Sequence, residues 1–566
     1  MSSWPLFAWA HPGLLLIVGA LVLPAIPERA RMLYQLALPA AVLAVILTLE
    51  TGTFGAFRYL GLDIVTGRVD TLSLVFAYVF GIILVIGAIY ALHVKDTVQH
   101  VAGTIYAGAA LGVIFAGDLV SLYVFWEIMA FASVWLIWCR RNEISWAAGW
   151  RYLLVHAAGG VILLAGIAIY FVETGSTAFN GIQNVGPGFY LILVGFMINA
   201  AVPPLHAWLS DAYPEATVTG AILLSAFTTK TAVYTLIRGF PGTELLVWFG
   251  AVMALWGVVY AVLANDIRRL LAYHIISQVG YMVAAVGMGT AMALNGAASH
   301  AFTHILYKAL LFMGAGAVIH MTGKSKLTDL GGLYRSMPIT FVLYMVGAFS
   351  ISAFPLFSGF VSKTMVVEAA ALDHRAIIWL MLTMASAGTF LHTGLKLPYF
   401  TFLGDDAGLR PKEAPPNMLI AMAAAASLCI LIGLFPGALY ALMPAAVTYN
   451  AYTTSHVIWE LQLLLFTGLG FFVLLKHVGG EAKISLDTDW FYRRPAVKVA
   501  RGFDDLTAGA WTRIVSGING KAAKLHELLV THHGPSGTFG RSWPTGTMAF
   551  WTTFLLGAFL LIAALS

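Results

Sequence analysis

Glu127 stands in the middle of a strongly apolar run, Asp118-Leu-Val-Ser-Leu-Tyr-Val-Phe-Trp-Glu127-Ile-Met-Ala-Phe-Ala. Lys230, the trio His300, His304 and Lys308, and Lys363 stand in similar company. An ionisable side chain at a bilayer centre costs about 2.5–3.5 kcal/mol on insertion scales, so a chain that keeps several must pair them or use them. Burial and neighbouring charge change how tightly such groups hold a proton, so a group can switch protonation when a nearby charge moves. Carrying ions, protons first, is the chemistry these residue types support. His300, His304 and Lys308 follow one another at i, i+4 and i+8, about 6 Å of rise per step on one helix face, close enough for a water or two to link them.

The plainer reading of each residue is packing. A single intramembrane histidine is often only a hydrogen-bonded core residue, which applies to His156 and His392 and partly to His206. Lys396 lies near a helix end beside Pro398, where a lysine snorkels to the interface. Glu143, Asp266, Arg268 and Arg269 read as solvated loop charges, and Trp146, Trp150 and Trp379 as interface anchors. The histidine pair makes a poor zinc site, because no third ligand is in view and a metal would block a relay.

The elements that hold these residues follow from composition. Of 566 residues, 60% are hydrophobic and 10% charged, and the mean hydropathy is +0.85. A soluble domain needs about 25% charge to cover its surface, so the chain is expected to be an all-α polytopic membrane protein. Two cysteines, Cys139 and Cys429, exclude a disulfide framework, an iron–sulfur cluster and a cysteine-based zinc site. The net charge of +5 comes from lysines and arginines in loops between apolar spans and does not point to nucleic acid. The stretch from Gly13 to Ile26 follows no basic region and reads as a first membrane helix rather than a cleavable signal.

A window of about 20 residues finds roughly sixteen spans. Alternate loops hold basic residues in a ratio of about thirteen to four, which places the richer set in the cytoplasm and the N-terminus outside. Two spans carry prolines in mid-course, at Pro203-Pro204 and at Pro355. Proline removes a donor and clashes one turn back, so both spans should be interrupted inside the membrane, where freed carbonyls survive only against protein or a wet cavity. Five spans separate the breaks, and an odd offset reverses orientation, the pattern of inverted repeats with ion sites at broken helices.

The expected layout is N-terminal helices at 1–97, a first repeat at 98–240, a second at 244–404, further core helices at 405–476, a basic amphipathic segment at 477–545 and a final helix at 546–566. The basic segment carries Lys483, Arg493, Arg494, Lys498, Arg501, Arg513, Lys521, Lys524 and Arg541 among apolar residues such as Leu506, Ile514 and Leu525. It suits a helix lying on the cytoplasmic face. The glycines at 502, 509, 517 and 520 argue against one rigid rod.

Several segments resemble the proton-antiporter transmembrane module shared by Mrp-type multisubunit cation/proton antiporters and by antiporter-like subunits of NADH:quinone oxidoreductase and membrane-bound hydrogenases. They are Gly117-Asp-Leu with Phe-Trp-Glu127, Pro204-Leu-His-Ala-Trp-Leu-Ser-Asp211, Lys230-Thr-Ala-Val-Tyr, Asp266-Ile-Arg-Arg-Leu-Leu-Ala-Tyr-His-Ile-Ile-Ser-Gln-Val-Gly280, His300-Ala-Phe-Thr-His304-Ile-Leu-Tyr-Lys308, Gly331-Gly-Leu with Met337-Pro338, and Gly359-Phe-Val-Ser-Lys363. In order they cover about 300 residues, and the D subunit of Mrp antiporters is the nearest in pattern. The resemblance implies a core of about 14 helices and an axis of protonatable groups along the membrane plane: Glu127, Lys230, the His300–His304–Lys308 relay and Lys363. It also implies a lysine before the first break, paired with the glutamate. Here that position is Asn199, which cannot titrate, so His206, His156 or Lys230 would have to replace it. The basic segment would brace a neighbouring subunit, or serve simply as a surface linker.

Two functions remain open. One is a subunit exchanging protons for a monovalent cation, sodium in the first instance, beside other antiporter subunits in a bacterial-type cytoplasmic membrane. The other is a proton-pumping membrane subunit of a redox enzyme. Neither needs a cofactor in this chain, and the membrane lipids are its remaining contacts. A stand-alone channel fits less well, because the relay runs laterally between repeats.

Overall fold

The structure is a computed structural model that describes residues 9–479, 486–534, 537 and 544–565. Lys483, Arg541 and the side chain of Leu506, named above in the basic segment, lie outside the described residues. Among those described, thirteen helices are long and apolar enough to cross a membrane, and three shorter apolar helices accompany them, at Pro12–Ala25, Pro187–Asn199 and Pro338–Ile351. Each falls on one of the sixteen expected spans. The chain divides into two compact units, one reaching to Asp489 and one starting at Trp490.

The first unit opens with α1 (Pro12–Val22) and α2 (Glu28–Leu47), then a hairpin of β1 (Gly52–Tyr59) and β2 (Leu62–Val69). This hairpin corrects the all-α expectation. Leu60 and Gly61 both hold positive φ, 49° and 81°, the two-residue turn whose twist matches paired strands. Then follow α3 (Thr71–Tyr90), α4 (Thr97–Phe115), α5 (Leu119–Trp138), α6 (Glu143–Thr174), α7 (Pro187–Asn199), α8 (Ala207–Ala212), α9 (Val218–Ala226) and α10 (Thr228–Gly239). The next group is α11 (Glu244–Leu263), α12 (Ile267–Met288), α13 (Ala291–Thr322), α14 (Pro338–Ile351), α15 (Ser358–Leu372) and α16 (Ala376–Thr389), which runs on as π-helical turns at Phe390–Lys396 and Tyr399–Leu403. The unit closes with α17 (Pro416–Leu434), α18 (Pro436–Tyr440), α19 (Thr454–Val473), α20 (Leu475–Val478) and the start of α21 (Asp489–Arg493).

Both proline breaks are present and share one geometry. After α7, Ala201 takes φ +57° and the Val202 N–H reaches back to the Met197 carbonyl at 3.1 Å. After α14, Ala353 takes φ +59° and the Phe354 N–H reaches the Phe349 carbonyl at 3.0 Å. An alanine held left-handed costs about 1–2 kcal/mol, and each break carries one at the matching place.

The likeness extends beyond the breaks. α6 and α13 each have 32 residues and end on left-handed glycines, Gly175 and Gly323, with Thr174 and Thr322 hydroxyls donating to carbonyls one turn back. Isolated bridges join Asp118 to Ala178 and Asp266 to Lys326, and each aspartate caps the helix after it. Every member of these pairs lies 148 positions from its counterpart.

The centre of the unit is α12 and α13, in which all residues from Leu270 to Met288 and from Asn295 to Val318 are buried. Arg268 corrects the solvated-loop reading: it is buried, and its guanidinium donates to the Ala216 carbonyl at 2.7 Å.

In the second unit, α22 (Pro495–His533) is one continuous helix of 39 residues, about 58 Å long at 1.5 Å per residue. This overturns the expectation that its glycines would interrupt it. Each glycine costs only about 1 kcal/mol relative to alanine, too little to stop a helix of this length. Its described side chains are almost all exposed, as are those of α23 (Thr545–Leu565).

Candidate functional site

A connected set of buried polar side chains crosses the middle of the first unit. The Lys308 amine on α13 lies 3.2 Å from His274 Nδ1 on α12. His274 Nε2 is 3.3 Å from the Thr389 hydroxyl on α16, which also receives the Gln278 side-chain N–H at 3.3 Å. Gln278 Oε1 is 3.2 Å from His300 Nε2, and His300 Nδ1 is 3.2 Å from the Ser362 hydroxyl, one residue before Lys363. Thr303 joins Ser362 at 2.7 Å, and the Tyr307 hydroxyl stands 3.5 Å from both Gln278 and His300. Every member of this set is buried. A low dielectric strengthens such bonds and makes each broken one costly, so the network holds its members in register.

The line therefore does not run along α13 as the i, i+4, i+8 spacing suggests. His304 sits between His300 and Lys308 with both ring nitrogens unpartnered, its ring edge-on to Tyr307 at 5.2 Å. The connection crosses instead to α12, through His274 and Gln278, a pair at i, i+4 that sequence reasoning did not select. The turn of charge at Asp266-Ile-Arg-Arg draws attention to the helix end and away from this pair one to three turns further in.

The outlying lysines bind helix carbonyls. Lys230 donates to the Ser225 carbonyl at 2.7 Å and to the Thr229 hydroxyl at 3.1 Å, across the interruption at Phe227 between α9 and α10. Lys363 reaches only the Ile351 carbonyl, at 3.5 Å, the last residue of α14 before its break. Lys396 does not snorkel. It is 1% exposed and donates to the Val262 and Ala264 carbonyls, at 2.5 and 3.3 Å, where α11 ends and its carbonyls lack intrahelical partners.

In the first half the groups stay apart. Glu127 has a buried Oε1 that makes no hydrogen bond, and no ion pair to it forms among the described residues. Its carboxylate rests over Gly160, where an added Cβ would lie 1.9 Å from Oε1. The same carboxylate lines an open, mostly apolar cleft of about 1230 Å³ with Thr97, Val101, Ile105, Phe131 and Trp135. Asn199 is 1% exposed and neither end of its amide is hydrogen-bonded. Of the three proposed replacements for a lysine there, His156 bonds the Tyr152 carbonyl and packs between Tyr152 and Trp208, Lys230 is held as described, and His206 faces away.

His206 faces Asp487, which sequence reasoning passed over. Its Nε2 lies 3.1 and 3.2 Å from the two carboxylate oxygens, the Tyr273 hydroxyl donates to the same carboxylate at 2.8 Å, and Tyr260 holds the neighbouring Leu486 carbonyl at 2.7 Å. Burial pushes the Asp487 carboxyl up, but hydrogen bonds from His206, Thr488 and Tyr273 and the charge of His206 outweigh it and hold it below the usual carboxylate range. The segment after α20 thus inserts an acid beside the first break. Nothing local to Asp487 could have signalled a partner 281 residues away. Glu460 on α19 was also passed over. It is 4% exposed, with one oxygen unpartnered, and shares a cavity with Lys363. No group of three or more His, Cys, Asp or Glu among the described residues is arranged to hold a metal ion.

A family model described as NADH:quinone oxidoreductase/Mrp antiporter, transmembrane, matches residues 116–390, the stretch that holds both breaks and the central network. The largest-matching region of the Na(+)/H(+) antiporter of Alkalihalophilus pseudofirmus is in its A subunit, which is 33% identical over 424 residues, 66% of this chain and 52% of that protein. The hydrogenase-4 component B of Escherichia coli is 30% identical over 422 residues, 65% of this chain and 62% of that protein. The chain thus spans between half and two thirds of the length of these relatives. A chain in the structure of the membrane-bound sulfane sulfur reductase, an archaeal respiratory membrane complex, shares the fold with a TM-score of 0.71 at 23% identity, covering 98% of this chain and 99% of that one.

Proposed function

Because the chain belongs to the NADH:quinone oxidoreductase/Mrp antiporter transmembrane family, we propose that it is one component of a multisubunit antiporter that exchanges protons for a monovalent cation, sodium in the first instance. The observation that carries this reading is the buried line from Lys308 through His274, Thr389, Gln278 and His300 to Ser362, which ends beside Lys363. Two bases 3.2 Å apart, Lys308 and His274, can pass one proton between them with little movement. Glu127 and Lys230 serve the first half of the path, and Lys363 and Lys396 the far end, with His206 and Asn199 at the first break. Membrane subunits and lipids surround the chain, and the loop-charge bias sets the N-terminus outside a bacterial-type cytoplasmic membrane. α22 lies on the cytoplasmic face of that membrane.

A second reading, a proton-pumping membrane subunit of a redox complex, is favoured by the likeness to a hydrogenase component and to a chain of a sulfur reductase. In that case redox chemistry belongs to partner proteins and the same buried line moves the protons. The two separate in everted vesicles that contain the native complex. Sodium added to vesicles with a preformed pH gradient discharges that gradient if the chain belongs to an antiporter. Indifference of the gradient to sodium, together with its build-up by electron donors, would establish the second reading.

A further inference from the structure

We propose that the cavity between α15, α16 and α19 is a monovalent-cation site, in which the Glu460 carboxylate is neutralised in turn by the Lys363 ammonium and by a sodium ion. The proposal rests on the antiport reading and assigns that reading its cation. The cavity measures about 410 Å³, and its wall includes Lys363, Thr364, Glu368, Thr383, His456 and Glu460. Glu460 is 96% removed from solvent and its Oε1 meets no hydrogen-bond donor in the described protein. Lys363 shares this space yet makes no ion pair with Glu460 within 4.0 Å, and its only hydrogen bond is the long one to Ile351. A carboxylate and an ammonium thus stand across a gap that neither closes.

The wall suits a hard cation. The Thr383 hydroxyl gives its hydrogen to the Trp379 carbonyl at 2.8 Å, so only its oxygen lone pairs remain for a ligand. Carboxylate and hydroxyl oxygens select sodium-like ions over soft metals. The other titratable groups about Glu460 are Glu368 on α15, His456 on α19 itself, Tyr449 just before α19 and Tyr281 on α12.

Charge balance dictates the exchange. With Lys363 protonated, its ammonium neutralises Glu460. When the proton leaves Lys363 Nζ, one sodium ion enters to neutralise the same carboxylate, and the amine stays neutral. Ser362, which contacts His300 at 3.2 Å, places the buried line one residue from the departing proton. One positive charge replaces one, so a single sodium is exchanged for a single proton at this site. In the orientation inferred from loop charges, the cavity lies toward the outer face, because α19 enters from that side.

Direct binding of radioactive sodium to the purified full-length complex, read by scintillation proximity, tests the site. Wild type should bind saturably and more tightly as pH rises. Glu460→Gln should weaken binding at least about tenfold, since a buried cation then lacks its counter-charge. Lys363→Gln should strengthen binding about tenfold near neutral pH and flatten its pH dependence, since the competing charge is gone. Thr383→Val, a nearly isosteric change that keeps the fold if Glu460→Gln does not, should weaken binding several-fold. Unchanged sodium affinity in Glu460→Gln, or in both Lys363→Gln and Thr383→Val, would overturn the site while leaving the antiport reading in place. A wild-type complex that moves protons yet binds no sodium, potassium or lithium would remove the antiport reading itself. Calcium binding in preference to sodium at Glu460 would also overturn the site.

Discussion

The two halves of the core share a backbone and differ in what they hang on it. At matching places, 148 positions apart on α6 and α13, Tyr152 answers to His300, His156 to His304 and Gly160 to Lys308. In the second half, Lys308 extends from α13 to a histidine on α12. In the first half the direction is reversed: Gly160 offers no side chain, and Glu127 extends from α5 into the space above it. One half therefore projects a base from the long helix, the other projects an acid toward it. The second half is also the connected one. Its groups touch across α12, α13, α15 and α16, whereas Glu127 and Asn199 make no side-chain hydrogen bond that would lock them. A shared backbone fixes where a protonatable group can stand, and single side chains decide whether it is networked or left free to move.

The largest expected effect falls on the unpaired half. Glu127→Gln keeps shape and hydrogen-bonding capacity but cannot titrate, so exchange should collapse while membrane abundance holds. Wild-type antiport by this variant in everted vesicles would remove Glu127 from the path. Next comes the bridge of the connected half. His274→Ala deletes the contact to Lys308, worth about 1.5–3 kcal/mol for a bond to a charged group, which translates to a loss of roughly ten- to a hundredfold in rate. His304→Ala should cost less than His274→Ala or His300→Ala, because His304 is bonded to neither neighbour. The reverse order in a matched exchange assay would restore the line along α13.

Copying features between halves sharpens the comparison. Gly160→Ala drives a methyl group into Glu127 Oε1 and should lower exchange several-fold, at a cost of about 1–3 kcal/mol for overpacking. Asn199→Lys should be tolerated, since it supplies a base near an acid that has none. An inactive Asn199→Lys protein that still inserts would show that a neutral residue at the break belongs to the mechanism.

The smallest effect is expected at Asp487. Its carboxyl is held below the usual range, so the contact with His206 is complete above the ordinary carboxylate pKa of about 3.9 and is lost only as pH falls through the lowered value. An added protease should therefore cut the chain near Asp487 slowly in wild type from pH 8 down to about pH 5, and quickly in Asp487→Asn throughout. Equal cutting of both proteins would show that the contact does not hold the segment.

Much of this was legible without coordinates. Prolines 203 and 355 announced two breaks, apolar runs marked the sixteen spans, and Glu127, Lys230, His300, Lys308 and Lys363 stood out because charge is expensive in such runs. The failures have physical causes. Glu460 follows Trp459 near the start of a span, where a charge looks like an ordinary interfacial residue, and only packing against α15 buries it. Asp487 sits in a basic linker and gains meaning from residues brought to it by tertiary structure. Gln278 and Thr389 carry no charge, so no insertion cost singles them out, yet they join His274 to His300. The hairpin was hidden because a span-length window registers apolar runs and is blind to eight-residue strands.

The central claim is that protons move through the connected half by way of Lys308, and sodium-driven discharge of a preformed pH gradient tests it most directly. Everted vesicles carrying Lys308→Ala should show no discharge above the background of vesicles lacking the complex, at wild-type abundance and assembly. Discharge at the wild-type rate by Lys308→Ala would contradict the account and return the buried network to a purely structural role.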